Sequence, residues 1–368
     1  MKKILFLIHD LGYGGAEKVL VNLANNLDKT KYDVTIQTLF DWGVNQKNIN
    51  SDVTYIPGWK HMFRGNVSLM KLFSPKTLKK MVIKNDYDIV VSFLEGPCAR
   101  IASAFEGKKV VWIHIEHLKQ AELVHPFKST AEMKKCYESF DRIVCVAKTV
   151  KDNFVQLSGV KNQFEVLYNV NQTDKIIEMS KELQDKIIPS NNCFNIISVG
   201  RLIINHKGFE RLISIHKKLL DSGINNKLYI LGEGPDKAEL NGLILQYGVQ
   251  NSCFLLGFDE NPYKYVRAAD LFVCSSYKEG FSTAVTEALI LGVPVVSTDV
   301  SGAKELLGFN NEYGIVIEND ENALYEGITK LLTEENLLTH YKKQAEIRGK
   351  EFSVEKTTKA VEEMLVSL

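Results

Sequence analysis

Twelve short β-rich runs, each separated from the next by an amphipathic stretch, follow one another through the chain and leave few folds open to it. In the first half they are Lys3 to Ile8, Val34 to Phe40, Asp88 to Phe93, Lys109 to Ile113, Arg142 to Ala147 and Glu165 to Tyr168. The second half repeats the pattern with Phe194 to Val199, Lys227 to Leu231, Cys253 to Leu256, Leu271 to Cys274, Pro294 to Ser297 and Ile315 to Ile317. Such alternation is the mark of βαβ units around a parallel sheet, so the expected class is α/β. A chain of 368 residues exceeds what one core of this kind needs, and two domains are expected. The polar stretch Asn169 to Asn192, with Pro189-Ser190-Asn191-Asn192 just before a strand, reads as their junction. The expected organisation is therefore a first Rossmann-like domain over 1–172, a linker over 173–192, a second Rossmann-like domain over 193–350, and a C-terminal helix over 351–368 behind the N-cap Ser353. Doubly wound sheets bind ligands at the carboxyl ends of their strands, which points to the cleft between the domains.

Composition removes several classes. The chain is 45% hydrophobic and 24% charged, as ordinary globular proteins are. No apolar run approaches the roughly 18 residues of a membrane span. Met1-Lys2-Lys3 and the apolar run after it stop at His9-Asp10 without a small-residue cleavage site, so the segment reads as a first strand and not a signal peptide. Six cysteines without paired spacing suit a reduced, cytoplasmic setting. Zero net charge argues against a nucleic-acid partner, but it hides an imbalance. Residues 1–190 carry 27 basic and 21 acidic side chains, and 191–368 carry 18 and 24. From Val53 to Asn85 there is no acid at all, while Lys60, Arg64, Lys71, Lys76, Lys79, Lys80 and Lys84 alternate with Trp59, Phe63, Leu69, Met70, Leu72 and Phe73. Residues 59–84 are thus expected to meet an anionic membrane surface; a solvated face over core aromatics is the alternative.

The segment Glu279-Gly280-Phe281-Ser282-Thr283-Ala284-Val285-Thr286-Glu287 follows a strand and leads into a helix closed by Gly292. With Ser282 as N-cap, the amides after it and the helix dipole would face an anion, and a diphosphate fits there. Glu279 could accept hydrogen bonds from sugar hydroxyls, and Glu287 could take a ribose diol, because a carboxylate is an acceptor with two oxygens. Spacing alone is equally compatible with a solvated Glu279 and with Glu287 capping a neighbour. A second cluster, Gly200-Arg201 with Lys207-Gly208, offers a rigid fork of donors and a compact charge. Two such cations can hold a departing diphosphate in place of a metal.

These segments resemble family 4 glycosyltransferases, a retaining family of GT-B fold with an E-x7-E motif. The matching pieces are Gly14 to Glu17, Trp112 to His114, Gly200-Arg201 with Lys207-Gly208, Gly232 to Pro235, Leu256 to Phe258, Ala268 to Asp270, Glu279 to Glu287 and Gly292 to Asp299, in order along nearly the whole chain. The resemblance implies that Arg201 and Lys207 grip the donor diphosphate, that Glu279 contacts the donor sugar, and that Glu287 binds ribose. It also implies that Gly280 and the Phe281 to Thr283 backbone meet phosphate or sugar oxygens, and that Gly232 and Phe258 line the donor site. Gly14 and Gly15 would let backbone approach the donor phosphate or the acceptor across the cleft, and His114 would contact the transferred sugar, with His117 a competing choice. The C-terminal helix would cross back to the first domain. The implied reaction transfers a sugar with retention and without metal or other cofactor, from a UDP-sugar or, next, GDP-mannose. The implied acceptor is a polyprenyl-diphosphate-linked glycan of a bacterial cell surface, at the inner face of the membrane.

Other readings stand beside this one. Gly12-Tyr13-Gly14-Gly15 followed by Asp41 invites a dinucleotide site, but Glu17 stands where the third glycine belongs. His9 and Asp10 are where an inverting enzyme would carry its base. Asp86-Tyr87-Asp88 has a metal-binding form yet precedes its strand, so it reads as a turn. A binding module without turnover and a sugar-nucleotide epimerase are the alternative functions.

Overall fold

The computed structural model describes residues 1–62, 65–184, 186–187, 192–334 and 336–368. Phe63 and Arg64 of the basic segment, and Pro189, Ser190 and Asn191 of the expected linker, lie outside the described residues. The chain divides into two compact units, Met1–Val170 with Val354–Leu368, and Asn171–Ser353.

The first unit is built on seven parallel strands: β1 (Lys2–Ile8), β2 (Tyr32–Thr38), β3 (Thr54–Ile56), β4 (Ile89–Ser92), β5 (Lys108–Ile113), β6 (Arg142–Cys145) and β7 (Phe164–Val166). Their order across the sheet is β3-β2-β1-β4-β5-β6-β7. Ile4 to Ile8 and Ile89 to Ser92 are buried throughout, as continuous apolar runs must be when helices cover both faces. The expected runs correspond to six of these strands. The seventh, β3, has three residues at the sheet edge, too short to leave a pattern. The second unit has six parallel strands: β8 (Phe194–Val199), β9 (Asn226–Leu231), β10 (Cys253–Gly257), β11 (Leu271–Cys274), β12 (Val295–Thr298) and β13 (Ile315–Ile317). Their order, β10-β9-β8-β11-β12-β13, reverses direction between β8 and β11. That reversal makes the carboxyl ends of β8 and β11 the natural ligand crevice of this sheet. The α/β class with two Rossmann-like sheets is thus present.

Two boundaries differ from the expectation. Thr173–Met179, read as the start of a linker, is a helix of the second unit with Ile176 buried, packed on the helices Tyr263–Ala268 and Thr283–Ile290. Its polar residues are the solvent face of an element whose other face is apolar. Val354–Val366 forms the C-terminal helix and belongs to the first unit, where Glu362 accepts the Asp28 amide at 2.8 Å and Arg142 donates to Ser367 Oγ at 3.0 Å. The six cysteines are free, five of them buried. Among the described residues no helix is long and apolar enough to cross a membrane.

Candidate active site

In the second unit, the loops leaving β8 and β11 meet. Lys207 ends the short helix Ile204–Lys207, and its Nζ lies 2.6 Å from Glu279 Oε1. Ser276 Oγ donates to the same oxygen at 2.6 Å. Burial opposes the Lys207 charge, but the Glu279 carboxylate outweighs it and holds the ammonium pKa above the ordinary lysine value. Arg201, two residues past β8, is exposed and forms no ion pair among the described residues. The two cations expected to act together therefore differ, one committed to a carboxylate and one presented to solvent.

Backbone contacts fix this geometry. Ser275 Oγ donates to the Lys207 carbonyl at 2.9 Å, and the Tyr277 amide donates to the His206 carbonyl at 2.8 Å. Gly208 has φ +61°, and a Cβ there would overlap the Ser275 carbonyl, so the two loops touch only because this residue has none. Gly232, with φ +143°, packs against the Gly200 carbonyl in the same way, which gives it a structural duty beside the expected ligand contact. Phe258, just past β10, is half-exposed. The Glu233 carbonyl takes the Leu202 amide at 3.0 Å, and Asp236 takes the Ile204 amide at 2.8 Å.

Arg211 completes the frame and was not singled out by sequence. It is buried, donates to the carbonyls of Ser275 and Ser276 and to Asn319 Oδ1, and lies 3.9 Å above the Tyr277 ring. The available signal was an arginine among the core residues Phe209, Leu212 and Ile213 of its helix. A buried guanidinium there has to be satisfied by something other than water.

The helix Thr283–Ile290 begins as expected, with Ser282 Oγ accepting the Val285 amide at 3.4 Å. Leu291 is its C-cap, followed by Gly292 in the left-handed conformation. The Gly280 carbonyl packs against Gly302, and buried Phe281 meets Phe352 edge-on at 6.2 Å. Glu287 is buried inside the helix, 3.4 Å from the Tyr263 hydroxyl. A separate cavity of about 740 Å³ in this unit is lined by Asp270 and Pro294, at the opposite, amino-terminal ends of β11 and β12, and by Leu291 and Gly292 at the far end of this helix; Lys207, Glu279, Ser282 and Glu287 do not line it.

In the first unit, Gly14 precedes the helix Gly15–Asn26, and the Glu17 carboxylate folds over it so closely that a Cβ on Gly14 would collide with it. An acid already occupies that helix start, which disfavours a pyrophosphate there. His114 follows β5; its amide donates to Glu95 Oε2 at 3.2 Å and its ring sits 4.8 Å from Phe93. Burial pushes its pKa down to about 3, so the ring is neutral, and its buried Nε2 has no hydrogen-bond partner among the described residues. His117 lies between Glu95 and Glu122, 3.8 and 3.7 Å away. His9 Nδ1 is 2.7 Å from Asp10, which also takes the Gly12 amide at 2.9 Å. Asp88 receives the Lys3 amide at 2.7 Å, so the D-x-D acid clasps the entry of β1.

The model of Glycosyltransferase Family 4 matches residues 13–175, and that of Glycosyl transferases group 1 matches residues 179–348. Over 369 residues, 96% of each chain, the sequence is 31% identical to the N-acetylgalactosamine-N,N'-diacetylbacillosaminyl-diphospho-undecaprenol 4-alpha-N-acetylgalactosaminyltransferase of Campylobacter jejuni. The chain belongs to glycosyltransferase family 4. This family 4 glycosyltransferase is also 24% identical, over 94% of each chain, to the amylovoran biosynthesis glycosyltransferase AmsD of Erwinia amylovora. Its fold is that of Anabaena HepE, crystallised with UDP and glucose, at a TM-score of 0.79 and 19% identity over the full length of both. The GT-B expectation and the family 4 resemblance both hold.

Proposed function

We propose that this glycosyltransferase moves a sugar from a UDP-sugar to a diphospho-polyprenol-linked glycan, with retention and without a metal. The Lys207–Glu279 pair, beside the Thr283–Ile290 helix start and at the strand reversal of a parallel sheet, carries this reading. There Lys207 and the exposed Arg201 would receive the diphosphate, and the amides after Ser282 would add their dipole. Glu279 would bind donor sugar hydroxyls, Glu287 the ribose, and Phe258, Gly232 and Gly280 would border the nucleotide. His114 would contact the transferred sugar as a neutral donor or acceptor, and the backbone of Gly14 and Gly15, with Glu17 folded over Gly14, would approach the acceptor rather than the diphosphate. The bond from the anomeric carbon to the diphosphate oxygen breaks as the acceptor oxygen bonds on the same face, and the acceptor proton passes to the departing phosphate. The UDP preference is supported by HepE, which was crystallised with UDP, and the acceptor class by the Campylobacter relative, whose substrate is a diphospho-undecaprenol. GDP-mannose is the nearest competing donor.

The same reading brings the chain to the inner face of the membrane through residues 59–84. Leu69, Leu72, Phe73 and Met81 are exposed there beside Lys60, Lys76, Lys80 and Lys84. Buried Arg100 holds the segment from beneath, donating to the Met70 and Phe73 carbonyls at 2.7 Å and pairing with Glu132 at 2.8 Å. Charge reversal at Lys76, Lys80 and Lys84 is expected to abolish flotation with anionic liposomes; unchanged flotation would overturn the membrane contact.

The deciding experiment is a thermal-shift panel of UDP, GDP and their sugars, followed by turnover in EDTA. UDP should stabilise the chain, by about 2.7 kcal/mol at a hundredfold excess over its Kd. Turnover should survive chelation, and strict dependence on Mn²⁺ or Mg²⁺ would overturn the cation-based mechanism. Product formed from UDP-GlcNAc without acceptor would turn the reading towards an epimerase.

A further inference from the structure

Two large aromatic rings stand in solvent at the carboxyl ends of β1 and β2. Tyr13 is 53% exposed and Trp42 is 48% exposed, with their centroids 5.8 Å apart and their planes at 70°. The loops that carry them are held by backbone hydrogen bonds. The Leu11 amide donates to the Trp42 carbonyl at 2.9 Å, and the Asp41 amide donates to the Trp59 carbonyl at 2.9 Å. Buried Asn45 takes up the Gly12 carbonyl and donates its own amide to Leu11 at 3.1 Å. Gly12 lies so close under the Trp42 ring that a Cβ would enter it. Three loops are thus tied together to hold two rings outward, and their ordering cost is met before any ligand arrives.

Carboxylates flank the rings. Asp41 Oδ1 accepts from Gln46 at 3.0 Å and from the Tyr55 hydroxyl at 3.1 Å, and among the described residues Oδ2 has no partner, which leaves it for a ligand hydroxyl. Asp10 accepts the amide of Gly12, the residue that lies against the Trp42 ring, and Glu17 covers Gly14 next to Tyr13. Rigid aromatic faces edged by acceptor oxygens suit a pyranose, which has an apolar face of C–H groups and a rim of hydroxyls. The same acids repel an anionic lipid headgroup, which separates this patch from the basic segment after Trp59.

We propose that Tyr13 and Trp42, set at 70° to one another, form an angled platform for a pyranose ring of the acceptor glycan, one ring stacking on its C–H face and the other meeting its edge, with Asp41 binding its hydroxyls. This rests on the glycosyl-transfer reading above and adds to it the acceptor subsite. The test is saturation-transfer NMR on the full chain saturated with UDP, using the methyl glycosides of GalNAc, GlcNAc, glucose and galactose as probes. At least one is expected to receive saturation on the protons of a single ring face. Its affinity should fall about tenfold or more in Trp42→Ala and in Tyr13→Ala and recover largely in Trp42→Phe, while the UDP thermal shift stays unchanged. The unchanged shift also shows that each variant is folded, and Tyr13→Ala and Trp42→Phe carry the test if Trp42→Ala is not. No signal from any of the four, or signals that survive both alanine substitutions, overturns the platform. Loss of binding to phosphatidylglycerol vesicles in Trp42→Ala, with sugar signals intact, overturns it in favour of a lipid contact. A wild-type chain that ignores UDP and GDP fails the glycosyl-transfer reading instead, whatever the sugar probes show.

Discussion

Lys207 is held charged by Glu279 against its own burial, and the folded-state pKa lies above the ordinary lysine value. Stability from such a raised group is complete below the unfolded pKa and disappears only as pH climbs through the folded one, so the pair persists at every pH near neutrality. Lys207→Met therefore removes a cation that is always present. Turnover is expected to drop by about 100-fold or more, with the UDP thermal shift lost, while circular dichroism shows an intact fold. His114 behaves oppositely. Its folded pKa, about 3, lies below the ordinary histidine value, so the unfolded chain binds the extra proton. Its contribution is complete above the unfolded pKa and declines as pH falls toward 3. Melting temperature measured from pH 7 to pH 4 should fall less steeply in His114→Gln than in the parent chain. At this scale the sequence named Lys207, Glu279 and His114, but their chemical states came from packing. No spacing rule says that Glu279 Oε1 also accepts from Ser276, or that His114 Nε2 is left unpartnered among the described residues.

The elements around the site depend on a few backbone devices. Ser282 caps the Thr283–Ile290 helix through its side chain, and Ser282→Ala is expected to cost about 1 kcal/mol in denaturant unfolding and to weaken UDP. Arg211 matters more for stability, because its guanidinium satisfies two carbonyls of the loop that carries Glu279. Arg211→Met would leave those carbonyls buried and unpaired, at a cost of about 3 kcal/mol, visible as a lower urea midpoint. The cap was legible in the sequence because it is local: a serine, three residues, an amide. Arg211 was not, because its partners lie 64 and 65 residues away. The helix Thr173–Met179 was misread for the same reason, since its buried face is defined by the distant helices it packs on.

At the level of the whole chain, the C-terminal helix completes the first unit although 183 residues of the second unit precede it. It buries Val361, Met364 and Leu365. A chain ending at Ser353 should lose about 5 kcal/mol from the first unit and melt in two steps, with the UDP-responsive step unchanged. Alternating apolar runs by themselves determined two parallel α/β sheets, because strand and helix periods are written in neighbouring residues. Motif order determined the family, because glycines and charges at strand ends are local demands of the backbone. Tertiary structure alone decided which cation pairs with Glu279, where the second unit begins, and how Tyr13 and Trp42 come to face solvent together. Each of those depends on the energy of contacts between segments far apart in the chain, and such contacts exist only after folding has brought the segments side by side.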